Sequence, residues 1–582
     1  MEKVSSILAR HMKKWGVTHI FGIPGKAIVP LLLEIDTTNI EFILSKHESG
    51  AGFEAAGYSL LSNSLGVAVG TSGPGGTNLI TAAAQAKAFH IPVLIITGHP
   101  SIKDVGKALG QDSTLFGTDL VEMFRPVTKF SVRIERGDQV KSYLSHALEK
   151  AFSGVKGPVH LSIPADVLTE EIEPFEMNLP ESQHVVSSNY HEVIDVLNNA
   201  KRPALILGKG VHSSKAYEEV RRIAEVWGIP VMTTPGGKGT FPSKHSLSLG
   251  AYGLGGTDES EAYVEEGIDV MLVIGTKLTD MSLAGFREEH FPKRVIHFDY
   301  DQTFIGKTID VPTLFIQGDL KRNLQLIISE MMRRGLGNDS ASIRILEEER
   351  VINHDLKRNL QQLLDEMNRR GQAIDAELLG VALEQASSIE QYDQGDWLSS
   401  KTCMEVMNDV LPSESIIFGD AGSHSYYAIK YLDIKQPGTF FFDDVFGAMG
   451  YAIGYSIGAK LAAPNKKVIC LTGDGCMFMH GAEVSTAVNS NAPVIFIVMN
   501  NSGLDMVDKG MKNMTGKSVG TTYSHPVDIY QFALSMGALP YKCRTAEEFK
   551  HSLQTALGYN KAVVIEVLVD PDEVPPTMRR TL

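Results

Sequence analysis

With 582 residues the chain is too long for a single core and predicts three or four domains. Its 43% hydrophobic and 21% charged content is that of a soluble globular protein, and a net charge of −15 without a basic stripe argues against a nucleic-acid partner. Four cysteines with no Cys-x-x-Cys pair argue against a disulfide framework or a zinc site, and no apolar run is long enough to span a membrane, so the expected location is cytoplasmic.

The chain opens into an amphipathic helix without a signal-peptide pattern. Short apolar strands then alternate with helical segments: 19–23, 40–44, 67–69, 93–97 and 159–163. Uninterrupted apolar runs of this length between helices indicate parallel sheets covered on both faces. A Pro- and Glu-rich stretch, 171–183, reads as a linker. A second set of strands and helices runs from Ala204 to Asp319, with strands near 204–207, 230–233, 270–274 and 295–298. Residues 340–392 are charged, and Leu356, Leu360, Leu363, Leu364 and Met367 recur at helical spacing, so this stretch predicts amphipathic connector helices. A third set begins near Ser415. The fold class is therefore α/β, with three doubly wound parallel-sheet domains over 1–172, 188–335 and 396–582 and a helical connector over 336–395.

The chemistry concentrates in the third set. Val468–Thr472 runs into Gly473-Asp474-Gly475, and Val494–Met499 runs into Asn500-Asn501, with a helix-length segment at 481–489 between them. Neighbouring parallel strands joined by a helix bring their carboxyl ends together, where open α/β sheets bind ligands. An acid and an amide carbonyl there suit Mg²⁺, which takes its remaining oxygens from phosphate and water. Gly and Asn also favour turns for backbone reasons alone, so the two turns carry weight only together and at this spacing.

Gly473–Gly475, 24 intervening residues and then Asn500-Asn501 resemble the thiamine diphosphate signature of the pyruvate decarboxylase and acetolactate synthase superfamily. The first-domain motifs, 21–27, 45–58 and 71–78, extend the resemblance to the acetolactate synthase branch over nearly the whole chain. The domains then correspond to a pyrimidine-binding, a central and a pyrophosphate-binding domain. The resemblance implies Mg²⁺ held by Asp474, Asn501 and the carbonyl of Gly503. It implies Glu48 as the acid at N1′ of the aminopyrimidine, where a carboxylic acid shielded from water promotes the tautomer whose 4′-nitrogen removes the thiazolium C2 proton. Met449, in Phe446–Gly450, would wedge the two cofactor rings together. Further cofactor contacts are implied at Pro24, Gly25, Pro74, Asn78, Gly422, Ser423, His424, Gly447, Gly473, Gly475 and Cys476. Glu54 receives no role. The family's sites join one subunit's first domain to another's third, which implies a homodimer or homotetramer.

Departures from the family qualify the activity. The middle domain resembles the flavin-carrying domain of acetolactate synthases, but Val155 stands where that family has an Arg beside its flavin; FAD and a flavin-free scaffold remain alternatives. Leu115-Phe116-Gly117 replaces a Phe-Gln-Glu segment, Met281 stands in place of an acceptor-binding Arg, and Gly510 falls near the position of a Trp. A guanidinium grips a carboxylate bidentately and a thioether cannot, so the acceptor is expected to be larger or to lack a carboxylate at that place. Lys26 lies beside the expected substrate position and is the candidate replacement for the missing charge. The expected reaction is decarboxylation of a pyruvate-like 2-keto acid with transfer of the acyl carbanion to a carbonyl acceptor. The alternatives are a non-ligating decarboxylase or oxidase, a diketone hydrolase, or a scaffold without catalysis.

Overall fold

The computed structural model describes residues 1–62, 64–181, 185–336, 397–525 and 527–579. The charged connector expected at 336–395 lies, apart from Leu336, outside the described residues. Among the described residues no helix is long and apolar enough to cross a membrane.

The first sheet holds β1 (His19–Gly22), β2 (Glu41–Leu44), β3 (Gly66–Gly70), β4 (Val93–His99), β5 (Ser131–Arg133) and β6 (Val159–Pro164), all parallel, in the order β2-β1-β3-β4-β6-β5. β3, β4 and β6 are buried throughout, as their apolar runs require. Helices α1 (Val4–Lys14), α2 (Glu48–Ser62) and α3 (Ile80–Ala88) matter below. The 171–183 stretch is not a free linker. Glu171–Ile172 pairs antiparallel with Glu2–Lys3, and Phe175, Met177 and Leu179 pack on the core beneath α1.

The central sheet holds β7 (Pro203–Leu207), β8 (Val231–Thr233), β9 (Ser248–Ala251), β10 (Val270–Ile274), β11 (Arg294–Asp299) and β12 (Thr313–Gln317), in the order β9-β8-β7-β10-β11-β12. This is the 3-2-1-4-5-6 order of dinucleotide-binding sheets, with its reversal between β7 and β10. β9, with only Leu249 and Ala251 apolar over four residues, is too short and too polar to stand out in the sequence.

The third sheet holds β13 (Ile416–Gly419), β14 (Phe440–Phe441), β15 (Val468–Gly473), β16 (Val494–Asn500), β17 (Leu539–Cys543) and β18 (Val563–Leu568). Its order, β14-β13-β15-β16-β18-β17, repeats that of the first sheet strand for strand. Helices α4 (Ser423–Tyr431), α5 (Tyr451–Ala462), α6 (Asp474–His480) and α7 (Asp505–Thr515) flank it. The helical segment expected at 481–489 is in fact preceded by α6, which starts at Asp474 itself.

First and third domains meet where α2 lies on α5, with glycines at the crossing. A Cβ on Gly57 would lie 2.1 Å from the Tyr455 carbonyl oxygen, and one on Gly458 would lie 1.8 Å from the Glu54 carbonyl oxygen. The backbones touch because neither residue has a side chain. Gly458→Ala is expected to cost about 2–4 kcal/mol in chemical denaturation, since backbone must move to admit one methyl. Gly558→Ala, at a helix end with nothing within 4 Å of the new methyl, is expected to be neutral or stabilising by up to about 1 kcal/mol.

Candidate active site

Three strands of the third sheet, β13, β15 and β16, lie side by side in register and end together at Gly419, Gly473 and Asn500. The residues that follow them enclose a cavity of about 290 Å³. Asp474 is 3% exposed; its Oδ1 accepts the Gly475 amide at 2.8 Å and its Oδ2 the Gly503 amide at 3.0 Å. Ser502 adopts a left-handed φ of 60°, which turns the chain back so that Gly503 reaches the acid. Asn501 and Gly503 line the cavity with Asp474, whereas Asn500 turns away and donates to Glu566 at 2.7 Å. Burial pushes the Asp474 carboxyl up to about 7 against the pull of its amide donors. A carboxylate in this position lacks a cation, and the Asp, Asn and carbonyl oxygens around it form a donor set that Mg²⁺ fits.

Opposite them, α4 points its amino end into the same cavity. Ser423 Oγ, His424 Nε2 and Tyr427 Oη are buried and without hydrogen-bond partners among the described residues. Burial lowers His424 to about 4, so its ring is neutral at pH 7. Unpartnered polar groups at the positive end of a helix dipole fit a diphosphate. The glycines of the motif are sterically required. A Cβ on Gly475 would sit 2.6 Å from Leu504 and 3.1 Å from Met449, and one on Gly473 would sit 2.9 Å from His424. Cys476 lines the cavity and donates its thiol to the Ala421 carbonyl.

The segment 443–450, which carries Gly447 and Met449 past the cavity, owes its path to three side chains. Asp443 accepts the amides of Val445, Phe446 and Gly447 at 3.2, 3.1 and 3.5 Å. Gln85 of α3 accepts that of Ala448 at 3.1 Å, and Asp420 that of Gly450 at 2.8 Å. Asp443 also receives the Gln85 amide at 2.6 Å and the Lys209 ammonium at 2.7 Å. Burial raises the Asp443 carboxyl, but Lys209 and the hydrogen bonds from Phe446 and Gln85 together more than offset it and hold it below its usual range. Motif matching picks out Met449 but misses Asp443 and Gln85, whose partners lie in other domains.

The first-domain residues assemble elsewhere. Glu48 is the first residue of α2, 8% exposed, and accepts the Asn78 amide at 2.9 Å. Pro74 starts the short helix that leads to Asn78. A Cβ on Gly25 would sit 2.3 Å from Thr71, so this glycine lets the two loops meet, and Pro24 and Lys26 beside it are exposed. None of these residues lines the Asp474 cavity of its own chain. Within one chain the Glu48 group and the Asp474 cavity are therefore separate.

Glu54, given no role above, sits in the hinge between those halves. It is fully buried and accepts the Ser45 hydroxyl at 2.6 Å. Burial, and then the neighbouring carboxylate of Glu483, push it well above its ordinary value. Glu483, from the third domain, accepts the amides of Lys46 and His47 at 3.0 and 2.9 Å, and Gly50 leaves room for it. The turn before Glu48 is thus held by two carboxylates from two domains.

Of the departures, Met281 lines the cavity with Tyr426, whose hydroxyl lies 3.7 Å from its sulfur. Leu115 and Phe116 are exposed, and Gly510 lies on α7 away from the cavity, where Met506 and Val507 form the wall.

A second cavity, of about 420 Å³, opens at the carboxyl ends of β7, β10 and β11. Lys156, Lys209, Lys277, Lys321 and Arg322 line it. Val155 lines it beside Lys156.

Comparison with known proteins matches the chain domain by domain. Family models for thiamine pyrophosphate enzymes match as N-terminal TPP binding domain over residues 2–122, central domain over 190–327 and C-terminal TPP binding domain over 420–567. Acetolactate synthase of Mycobacterium bovis is 30% identical over 97% of this chain and 87% of its own length. The chain belongs to the acetolactate synthase family of thiamine pyrophosphate enzymes. The probable acetolactate synthase large subunits of Methanococcus aeolicus and Methanocaldococcus jannaschii are 28% and 29% identical over 97% and 100% of the chain, covering 92% and 94% of their own lengths. As a family member it is a thiamine pyrophosphate-dependent enzyme of C–C bond formation.

The Glu54–Glu483 pair makes a measurable prediction. An acid whose folded value is raised contributes stability that is complete below its ordinary 4.5 and is lost as pH rises through the folded value. Glu54→Gln removes that loss. Thermal melts between about pH 5 and pH 9 should show wild type losing Tm with rising pH more steeply than the variant.

Proposed function

We propose that this enzyme, with thiamine diphosphate and Mg²⁺, decarboxylates a pyruvate-like 2-keto acid and transfers the acyl unit to a carbonyl acceptor. What carries the reading is one cavity in which a buried, cation-less Asp474 faces the unpartnered Ser423 and His424. Asp474, Asn501 and the Gly503 carbonyl hold the metal, and Gly422, Ser423 and His424 hold the diphosphate. Gly473, Gly475 and Cys476 shape the floor, and Gly447 and Met449 would pack against the cofactor's rings. Pro24, Gly25, Pro74 and Asn78 frame the pyrimidine end from the first domain. When bound, thiamine diphosphate supplies a carbon nucleophile and an electron sink for the bond lost with carbon dioxide.

Glu48 holds a proton at the pyrimidine N1′, kept from water by its burial and oriented by Asn78. It reaches a cofactor only if a second copy brings its own Asp474 cavity to the first-domain edge, so the working form is a homodimer or a homotetramer of dimers. Lys26, exposed on that same edge, binds the substrate's carboxylate. Met281, Tyr426, Met506 and Val507 give the acceptor an apolar wall, which favours an aldehyde or a ketone with an apolar substituent over a second carboxylate. The relatives are named for acetolactate synthesis; the product here follows from that wall.

The central cavity, at the reversal point of its sheet and with five cationic side chains, suits a phosphate-bearing nucleotide, FAD among them. Lys156, Lys277 and Arg322 would hold the phosphates, and Asp299 at the end of β11 the ribose.

Asp474→Asn is expected to weaken thiamine diphosphate binding in Mg²⁺ by about a hundredfold, measured calorimetrically. Glu48→Gln should bind the cofactor with little change and lose about 10²- to 10⁴-fold in kcat. Product analysis by NMR and mass spectrometry, with pyruvate and a panel of acceptors, tests the reaction. Ligation to an aldehyde in preference to a second pyruvate supports the apolar acceptor wall, and acetolactate as the preferred product refutes it. An unchanged KM for pyruvate in Lys26→Ala would remove Lys26 from the site.

A further inference from the structure

The two cavities share a wall. Asp444 and Val445 line both, and Asp443 immediately before them lines the thiamine cavity. Lys209 leaves the end of β7, lines the central cavity, and reaches through the wall to Asp443 at 2.7 Å. Asp443 is wholly buried and anchors the three amides that lead to Gly447 and Met449. One ammonium therefore neutralises the anchor of the cofactor-bending segment and at the same time faces the other cavity.

Five cationic side chains line the central cavity against three carboxylates, Asp299, Asp319 and Asp444. Lys156 and Lys277 have no carboxylate within ion-pair distance among the described residues. Burial, and then the nearby Lys209, hold Lys277 below its usual range. An anion bound among these lysines would relieve their repulsion and would compete with Asp443 for Lys209.

We propose that a phosphate-bearing ligand in the central cavity and thiamine diphosphate in the third-domain cavity are antagonistically linked through Lys209 and Asp443. This rests on reading the central cavity as a phosphate site. An anion beside Lys209 divides its charge between two carboxylate-like partners, loosens Asp443 and with it the 445–449 segment, and so weakens cofactor binding. Linkage requires the reverse effect to be equal.

The test titrates thiamine diphosphate into the full-length protein in Mg²⁺, with and without saturating ADP, by calorimetry, and then ADP with and without the cofactor. About a fivefold or greater rise in each Kd, equal in both directions, is expected. Lys277→Ala should lose ADP binding and the antagonism together. The double variant Lys209→Met/Asp443→Asn, which removes both charges so that neither is left buried alone, should bind both ligands independently. Independent binding in wild type, or a rise in affinity, overturns the linkage while the phosphate site stands. Antagonism that survives in Lys277→Ala is competition within the thiamine cavity and overturns it too, as does antagonism that survives in the double variant. Failure of ADP to bind at all removes the phosphate site and the linkage with it.

Discussion

A carboxylate taken out of water must find donors for its oxygens, and the loops of this site are shaped by that demand. Asp420, Asp443, Asp474, Glu483 and Glu566 are all buried, and each accepts backbone amides from a loop that would otherwise have no fixed path. Asp443 and Asp420 fix the two ends of the segment bearing Met449. Asp474 folds Gly503 back over itself, Glu566 fixes the strand end through Asn500, and Glu483 holds the turn that delivers Glu48. The protein compensates these acids unequally. Asp443 has an ammonium, burial holds Glu54 well above its ordinary value, and Asp474 has only amides among the described residues. Asp420 and Asp474 have no cationic partner among the described residues, and of the two it is Asp474 that lines the open cavity, where a bound cation would complete it.

The repeat of one strand order in the first and third sheets gives the second organising feature. In each domain the loops leave the carboxyl ends of the strands, so each chain presents two separate edges, one carrying Glu48 and one carrying the Asp474 cavity. The glycine-lined contact of α2 with α5 fixes how those edges sit within one chain, and it leaves Glu48 outside the Asp474 cavity. A site built from both edges, as proposed above, would need two copies. The Glu54–Glu483 pair lies in that contact and connects the turn before Glu48 to the segment following α6, whose first residue is Asp474.

Much of this was legible in the sequence, for physical reasons. Val468–Thr472 and Val494–Met499 read as strands because both faces are covered, and Asp474, Asn501 and the glycines could be paired because their spacing follows from a strand-helix-strand unit. Short or mixed strands such as Ser248–Ala251, Phe440–Phe441 and Leu539–Cys543 carry too few apolar residues to announce themselves. Glu54, Asp443, Gln85 and Glu483 were illegible for a different reason. An isolated acid or amide in a sequence is far more often solvated, and these acquire meaning only from partners hundreds of residues away, as when Glu483 meets Lys46 or Gln85 meets Asp443. The 171–183 stretch misled in the opposite direction, since its prolines and acids concealed Phe175, Met177 and Leu179, which pack against α1.

The central claim is that a working site combines Glu48 of one chain with the Asp474 cavity of another. Co-expression of Glu48→Gln and Asp474→Asn chains carrying different tags, with purification of the mixed dimer, tests it directly. Each parent variant alone has a lesion in every site, whereas the mixed dimer has one site with both residues intact. The account predicts about half the wild-type activity in the mixed dimer, from one of two symmetric sites. A mixed dimer as inactive as its parents would mean that both residues serve the same chain's site, and would contradict it.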